Sequence, residues 1–81
     1  MIKVYGADWC SDCIVLKQVL REYKIEYKYI DISKDKEAIK FIENINNGKR
    51  IIPTLIINDK SYTNPNINNL LAILRNEKYI T

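Results

Sequence analysis

Residues 2–13 read IKVYGADWCSDC, and this segment indicates the fold class because a predicted strand is followed by two cysteines at the start of a predicted helix. The alternation of apolar and other side chains over residues 2–5 predicts a β-strand. Residues 11–23 instead carry apolar side chains every three or four positions, which predicts an amphipathic helix. Cys10 is therefore expected at the N-terminus of that helix, with Cys13 one turn inside it.

The rest of the chain continues this alternation of strands and helices. Further strands are predicted at residues 27–32, 54–57 and 61–63, and further helices from Ser33 or Asp35 to Ile45 and from near Pro65 onwards. A strand, a helix and a second strand favour a parallel pair, whereas the last two strands favour a hairpin that turns at Asn58 and Asp59. The sequence thus predicts one α/β domain over residues 1–81, ordered βαβαββα, with three helices flanking a four-stranded mixed sheet.

The composition narrows the chemistry, because the 81 residues include two cysteines and no histidine. The chain therefore lacks Cys–His catalysis and histidine-containing zinc sites, and two thiols alone do not complete a four-thiolate metal site. The net charge of +3 comes from 13 basic and 10 acidic residues spread along the chain, which indicates a mixed-charge surface and no nucleic-acid site. No targeting or membrane-spanning segment is evident, so the expected location is the cytoplasm.

The two cysteines are spaced for thiol–disulfide exchange. Residues three apart on a helix have Cα atoms roughly 5 Å apart, within reach of a disulfide. The helix N-terminus favours a thiolate at Cys10, whose pKa is expected to be lowered, whereas Cys13 should be more buried and less ionised. Cys10 is expected to attack and Cys13 to resolve, with Trp9 as a substrate-facing ring. Two structural cysteines, or half of a metal site shared between two chains, remain open as alternatives.

Pro53 is the second feature of interest, since it precedes a buried strand and has no N–H to give to the sheet. It is interpreted either as an ordinary proline at a strand start or as part of a cis Ile52–Pro53 bond. In the second case, we expect the Ile52 backbone to pair with an extended substrate beside Cys10.

These features resemble the glutaredoxin branch of the thioredoxin superfamily over nearly the whole chain, with mycoredoxin-like and NrdH-like glutaredoxins as the most similar members. The resemblance is carried by W-C-x-x-C at the first helix, by N-N-G-K-R-I-I-P-T before the third strand, by Y-T-N-P before the last helix and by the order of elements. It implies a nucleophilic Cys10 and a resolving Cys13. It also implies substrate contacts from Ile52 and Pro53, and binding of a small thiol or a reductase near Arg50, Thr63 and Asn64.

Two departures from the family pattern concern specificity. Ser11-Asp12 replaces the usual Pro-Tyr between the cysteines, and Thr63-Asn64 replaces the Gly-Gly pair that helps relatives to hold glutathione. The resemblance therefore leaves the identity of the low-molecular-weight thiol open.

Charged residues around Cys10 are expected to set how readily it ionises. The carboxylates of Asp8 and Asp12 oppose ionisation of the thiol, and Lys17 offsets part of their field. Because a less stabilised thiolate generally means a more reducing dithiol, the sequence predicts a comparatively reducing pair.

The sequence therefore predicts a disulfide oxidoreductase that reduces protein or mixed disulfides through Cys10 and Cys13 in cell redox homeostasis. No bound cofactor or metal is expected, and electrons would come from glutathione or another low-molecular-weight thiol, or from an NADPH-dependent enzyme such as thioredoxin reductase. Two alternatives are a dedicated electron donor to one enzyme, such as ribonucleotide reductase, and an iron–sulfur or zinc module that uses Cys10 between two chains. We expect a monomer without nucleic-acid or membrane partners.

Overall fold

The computed structural model describes residues 1–80, and its helices and strands follow the predicted order βαβαββα. The elements are β1 (Ile2–Gly6), α1 (Ser11–Glu22), β2 (Tyr27–Asp31), α2 (Lys36–Ile45), β3 (Thr54–Ile57), β4 (Lys60–Thr63) and α3 (Ile67–Asn76), with a short 3-10 turn (Ile32–Lys34) between β2 and α2. The predicted domain of residues 1–81 includes Thr81, which lies outside the described residues.

The four strands form one mixed sheet in the order β2-β1-β3-β4. β1 runs parallel to β2 and antiparallel to β3, so that Val4 lies opposite Tyr29 on one side and Leu55 on the other. β3 and β4 form an antiparallel hairpin. The predicted mixed sheet is therefore confirmed, and the first strand lies in its interior with its carboxyl end leading directly to the cysteines.

Apolar side chains on both faces of the sheet hold the helices in place. The larger cluster joins the sheet to α1 and α3 through Ile2, Val4, Leu55, Ile57, Leu16, Leu20, Leu70 and Leu74. The smaller cluster lies against α2, as expected from the alternation of side chains along a strand, and contains Ile32, Ala38 and Ile42 packed with Tyr5, Ile30 and Ile52. Each fully buried Leu or Ile contributes about 1.5–3 kcal/mol, so the larger cluster fixes α1, and with it both cysteines, against the sheet.

Short polar side chains determine where α2 begins and where the hairpin of β3 and β4 turns. Asp35 caps α2, because its Oδ1 accepts the backbone N–H groups of Glu37 and Ala38 at 3.0 and 3.2 Å. Asn58 and Asp59 both have positive φ angles, 50° and 68°, as a two-residue turn of type I′ requires. Of the two caps weighed from the sequence, the structure therefore selects Asp35.

The apolar stripes of two helices extend beyond the core. Phe41 of α2 is 41% exposed and stacks on Tyr5, with ring centroids 5.1 Å apart. Ile67, in the first turn of α3, is half exposed. A helical stripe thus indicates the inward face of a helix, but the residues at its margins remain in contact with solvent.

Candidate active site

Cys10 is the N-cap residue of α1, and its sulfur takes the place of the usual capping oxygen. Its backbone is extended, with φ −89° and ψ 114°, and Sγ accepts the backbone N–H of Cys13 at 3.2 Å. The Cys10 N–H donates to the Ala7 carbonyl at 3.2 Å, which closes the turn before the helix. The sulfur of Cys10 is therefore held by the backbone, in a residue that is only half-buried.

Cys13 differs from Cys10 in its surroundings, since it has no solvent exposure. Burial raises the pKa of the Cys13 thiol to about 12, and a hydrogen bond to Cys10 acts in the same direction. A hydrogen bond from the Ala7 backbone and the positive charge of Lys17 act against this rise. Both thiols are free, so the pair is in its reduced form, with one accessible sulfur above one protonated, buried sulfur.

Gly6, the last residue of β1, makes room for the Cys13 thiol. A Cβ atom built at Gly6 would lie 2.8 Å from Cys13 Sγ and 3.2 Å from both Cys13 Cβ and Tyr29 Cε1. The strand predicted from the sequence ended at residue 5, one residue before this glycine. Its function depends on a contact across the α1–β1 interface, which no local pattern signals.

Lys17, Tyr29 and Asp8 form a polar cluster beside Cys13. The Lys17 Nζ atom lies 3.9 Å from the centroid of the Tyr29 ring and 4.0 Å from Asp8 Oδ1, and the Tyr29 hydroxyl donates to the same oxygen at 3.3 Å. Burial, followed by the negative charge of Asp8, raises the pKa of Tyr29. The charge of Asp8 is therefore shared with two partners, and Lys17 lies close to both Asp8 and the buried thiol.

The segment before β3 lies in a fixed conformation. The Ile52–Pro53 peptide bond is cis, and Pro53 is buried. The Pro53 carbonyl accepts the N–H of Asn64 at 2.8 Å, and the Ile51 carbonyl accepts the Thr54 hydroxyl at 2.8 Å. Bonds from both ends therefore hold the Ile51–Pro53 segment, which is called the proline loop below.

Asn46 and Thr54 were not recognised from the sequence as residues of the site. Both are buried polar residues, and the Asn46 amide donates to the Thr54 hydroxyl at 3.3 Å. A signal was present, because Ala38, Ile42 and Asn46 follow each other at intervals of four on the buried side of α2. An asparagine that continues an apolar stripe indicates a polar group held inside the protein.

A groove of about 580 Å³ runs between the starts of α1 and α3. Its walls include Asp12 and Val15 from α1, and Asn64, Pro65 and Ile67 from the other side. Trp9 precedes Cys10 and is 75% exposed. The structure thus places Asp12 and Asn64 along one groove, with Trp9 projecting into solvent.

Arg50 and Thr63 make contacts that were not foreseen. The Arg50 Nε atom lies 3.4 Å from Glu43 Oε2, so the guanidinium group is paired with α2. The Thr63 hydroxyl donates to Asn46 Oδ1 at 2.6 Å. Both side chains therefore contact protein partners beside the proline loop.

Two absences bear on the kind of site. Within residues 1–80, the His, Cys, Asp and Glu side chains form no group of three or more that could hold a metal ion. None of the helices in the described part of the chain is long and apolar enough to cross a membrane.

The sequence of this chain matches one known protein family. The family model described as Glutaredoxin matches residues 2–62. A protein of Mycobacterium tuberculosis that is named as a glutaredoxin is 34% identical over 74 residues, which cover 90% of this chain and 88% of that protein. Mycoredoxin 1 of Corynebacterium glutamicum is 37% identical over 65 residues, covering 79% of this chain and 80% of that protein.

Solved structures share the fold. The thioredoxin-like protein BC3987 has a TM-score of 0.76 at 24% identity, covering 91% of this chain and 100% of that one. The glutaredoxin-like NrdH-redoxin from Escherichia coli has a TM-score of 0.67 at 22% identity, covering 76% of this chain and 79% of that one. The predicted thioredoxin-like fold class is therefore confirmed.

Proposed function

Since this chain belongs to the glutaredoxin family, we propose that Cys10 and Cys13 make it a dithiol reductase of protein and mixed disulfides. The family supports thiol–disulfide oxidoreductase chemistry in general. The observation that carries the finer proposal is the unequal placement of the two sulfurs. Cys10 is only half-buried and its Sγ accepts a backbone N–H at 3.2 Å, whereas Cys13 lies fully buried one turn along the helix.

In the first step, the Cys10 thiolate attacks one sulfur of a substrate disulfide. A bond forms between Cys10 and that sulfur, the substrate S–S bond breaks, and the other substrate sulfur leaves as a thiolate that takes a proton from solvent. The N–H groups at the start of α1 face the negative charge on Cys10, so the helix N-terminus supplies the stabilisation that a histidine would supply elsewhere.

In the second step, Cys13 loses its proton and attacks the Cys10 sulfur of the mixed disulfide. The second substrate thiolate leaves, and the two electrons of the dithiol have then passed to the substrate, with a Cys10–Cys13 disulfide as the other product. Because the pKa of Cys13 is raised to about 12, the thiol stays protonated until this step. Lys17, which favours the Cys13 thiolate, assists the loss of that proton.

The substrate is proposed to lie across the proline loop and the groove between the starts of α1 and α3. An extended peptide that pairs with the Ile52 backbone would bring its cysteine towards Cys10. Trp9 offers a large exposed ring next to the reacting sulfur, and Ile67 offers a further apolar contact in the groove. Asn64 and Thr63, at the end of β4, would contact the same substrate, and Arg50 would do so on leaving Glu43.

The oxidised protein needs an external source of two electrons. We propose that this source is either a low-molecular-weight thiol or an NADPH-dependent reductase. We also propose that the protein works in the cytoplasm as a monomer. We propose a second candidate function from the likeness to the NrdH-redoxin of Escherichia coli, a glutaredoxin-like protein with a thioredoxin-like activity profile. In that case, thioredoxin reductase would reduce this chain, and the chain would serve one dedicated enzyme such as ribonucleotide reductase.

Substitution of each cysteine by serine tests the two-step route. Cys10→Ser should abolish reduction of a peptide disulfide, since the remaining thiol, Cys13, is buried. Cys13→Ser should stop at a covalent mixed disulfide, visible as an adduct by mass spectrometry. Retention of activity by Cys10→Ser, or absence of any adduct on Cys13→Ser, would refute the assignment.

A coupled NADPH assay separates the two electron sources. Oxidised protein is mixed either with thioredoxin reductase or with glutathione and its reductase, and consumption of NADPH is followed with the same disulfide substrate. Turnover with thioredoxin reductase alone supports the NrdH-like role, and turnover with glutathione alone supports the glutaredoxin-like role. Matched reactions with the Cys10→Ser protein measure the background of each coupling system.

The iron–sulfur or zinc alternative requires two chains that share a metal through Cys10. Visible absorption, zinc content and molecular mass of protein purified without chelators test it directly. A coloured or zinc-containing dimer that Cys10→Ser renders monomeric and metal-free would favour this alternative over reductase function.

A further inference from the structure

We infer that Asn46 is a positioning residue for substrate, because a single buried carboxamide ties the proline loop, α2 and the end of β4 into one unit. The inference rests on the proposed function and extends it to a residue outside the thiol chemistry. Asn46 is only 8% exposed and directly follows α2 as its C-cap.

Every polar atom of the Asn46 side chain has a partner. Nδ2 donates to the Ile42 carbonyl at 2.9 Å and to the Thr54 hydroxyl at 3.3 Å. Oδ1 accepts the Thr63 hydroxyl at 2.6 Å. The carboxamide thus joins the last turn of α2 to the first residue of β3 and to the last residue of β4.

The bonds from Asn46 continue into the proline loop. Thr54 has no solvent exposure, and its hydroxyl group donates a hydrogen bond to the Ile51 carbonyl at 2.8 Å. Thr63 immediately precedes Asn64, whose N–H donates to the Pro53 carbonyl at 2.8 Å. Ile51 and Pro53 flank Ile52, the residue whose backbone is proposed to pair with substrate. Asn46 therefore acts on the substrate-binding backbone from both sides without touching the cysteines.

The direction of each hydrogen bond requires an amide at position 46. Because the Ile42 carbonyl can only accept, the group facing it must donate. A carboxylate there would repel the carbonyl oxygen and would no longer donate to it or to Thr54, leaving the carbonyl only the backbone N–H of residue 46 at 3.0 Å. A protonated carboxyl group has one O–H and can still donate to the Ile42 carbonyl. Asn46→Asp therefore converts the network into one that is restored in large part at low pH and disrupted at high pH, since burial raises the pKa of the introduced carboxyl group.

The test uses Trp9, the one tryptophan in the chain, to follow a single turnover without any external reductase. Reduced protein is mixed with increasing concentrations of a peptide disulfide or of bis(2-hydroxyethyl) disulfide, which has no peptide backbone to pair with Ile52. Each reaction gives a half-saturating concentration and a limiting rate. Asn44→Asp is the matched control, because Asn44 is an exposed residue of α2 that receives the same change in charge.

At about pH 8, Asn46→Asp is expected to raise the half-saturating peptide concentration about tenfold, with the limiting rate unchanged within about twofold. The small disulfide should react with Asn46→Asp and Asn44→Asp as it does with wild type. Towards about pH 5, where the introduced carboxyl group is protonated, the half-saturating peptide concentration of the variant should fall back towards that of wild type. A purely structural role would slow both substrates together and would show no such split.

The inference would be overturned if Asn46→Asp lost activity equally with both disulfides, or if its half-saturating peptide concentration were unchanged. Thr54→Val removes only the buried hydroxyl that links Asn46 Nδ2 to the Ile51 carbonyl, and should raise the half-saturating peptide concentration about threefold. If Asn46→Asp does not fold, Thr54→Val decides, and an unchanged value overturns the inference. Wild-type protein that reduces neither disulfide would instead refute the proposed function.

Discussion

Gly6→Ala tests whether the buried thiol of Cys13 rests directly on the backbone of β1. The added methyl group would lie 2.8 Å from Cys13 Sγ and 3.2 Å from both Cys13 Cβ and Tyr29 Cε1. Optimal contacts between such atoms are about 3.5–4.0 Å, so the groups must separate by several tenths of an ångström to about 1 Å in a closely packed interior. The side chains of Cys13 and Tyr29, or the elements that carry them, therefore have to shift.

Overpacking of this kind costs about 1–3 kcal/mol. In a domain of this size each kcal/mol lowers the melting temperature by about 4–8 °C, so we expect reduced Gly6→Ala protein to melt about 10 °C below wild type. Backbone preference does not explain such a loss, because alanine is favoured over glycine by about 0.5–1 kcal/mol within a strand.

The assay is thermal unfolding of wild type, Gly6→Ala, Cys13→Ala and the double variant, all under reducing conditions. Cys13→Ala removes the sulfur, which is the closest of the three contacts, so Gly6→Ala should cost markedly less in that background. Equal costs in the two backgrounds would refute the reasoning, because something other than the thiol would then resist the added methyl group.

Three further predictions concern the same region. Reduced wild type should lose stability relative to Cys13→Ala from about pH 9 towards pH 12, by up to about 1.4 kcal/mol per pH unit. The reason is that the Cys13 thiol ionises in the unfolded chain, while burial keeps its pKa in the folded protein near 12. Urea unfolding measures this difference, and a difference that does not change with pH would contradict the prediction. Lys17→Met should prolong the Cys10 mixed disulfide about threefold in acid-quenched samples, since it removes a charge that favours the Cys13 thiolate, and an unchanged lifetime would count against it. Trp9→Ala should alter unfolding free energy by less than about 0.5 kcal/mol yet slow reduction of a protein disulfide, and unimpaired reduction would rule out a substrate-facing ring.

Local patterns were sufficient to predict the order of the elements and the place of the cysteines. Apolar periodicity distinguishes a strand from a helix within a few residues, and Asn58-Asp59 carries its own turn preference. The relation between Cys10 and Cys13 is equally local, because both residues belong to the first turn of one helix. The 3-10 turn at Ile32–Lys34 was not predicted, since a single turn is too short to show a period.

Contacts between distant parts of the chain could not be predicted in this way. Gly6 is followed by a loop, and only the position of α1 above β1 shows that its missing side chain accommodates a sulfur. Asn46 precedes Asn47-Gly48 and was therefore interpreted as a helix end, although its carboxamide reaches β3 and β4. The roles of both residues depend on how elements pack, which one sequence does not encode in any short pattern.

The interior position of β1 has a consequence for synthesis of the protein. Ile2 pairs with Tyr27 and also with Ile57, so β1 is made before both of the strands that it pairs with and gains its second neighbour only once β3 has been made. Until then, Cys10 and Cys13 lack the packed sheet that buries one thiol more deeply than the other. The chemical difference between the two sulfurs is thus acquired only when β3 joins the sheet.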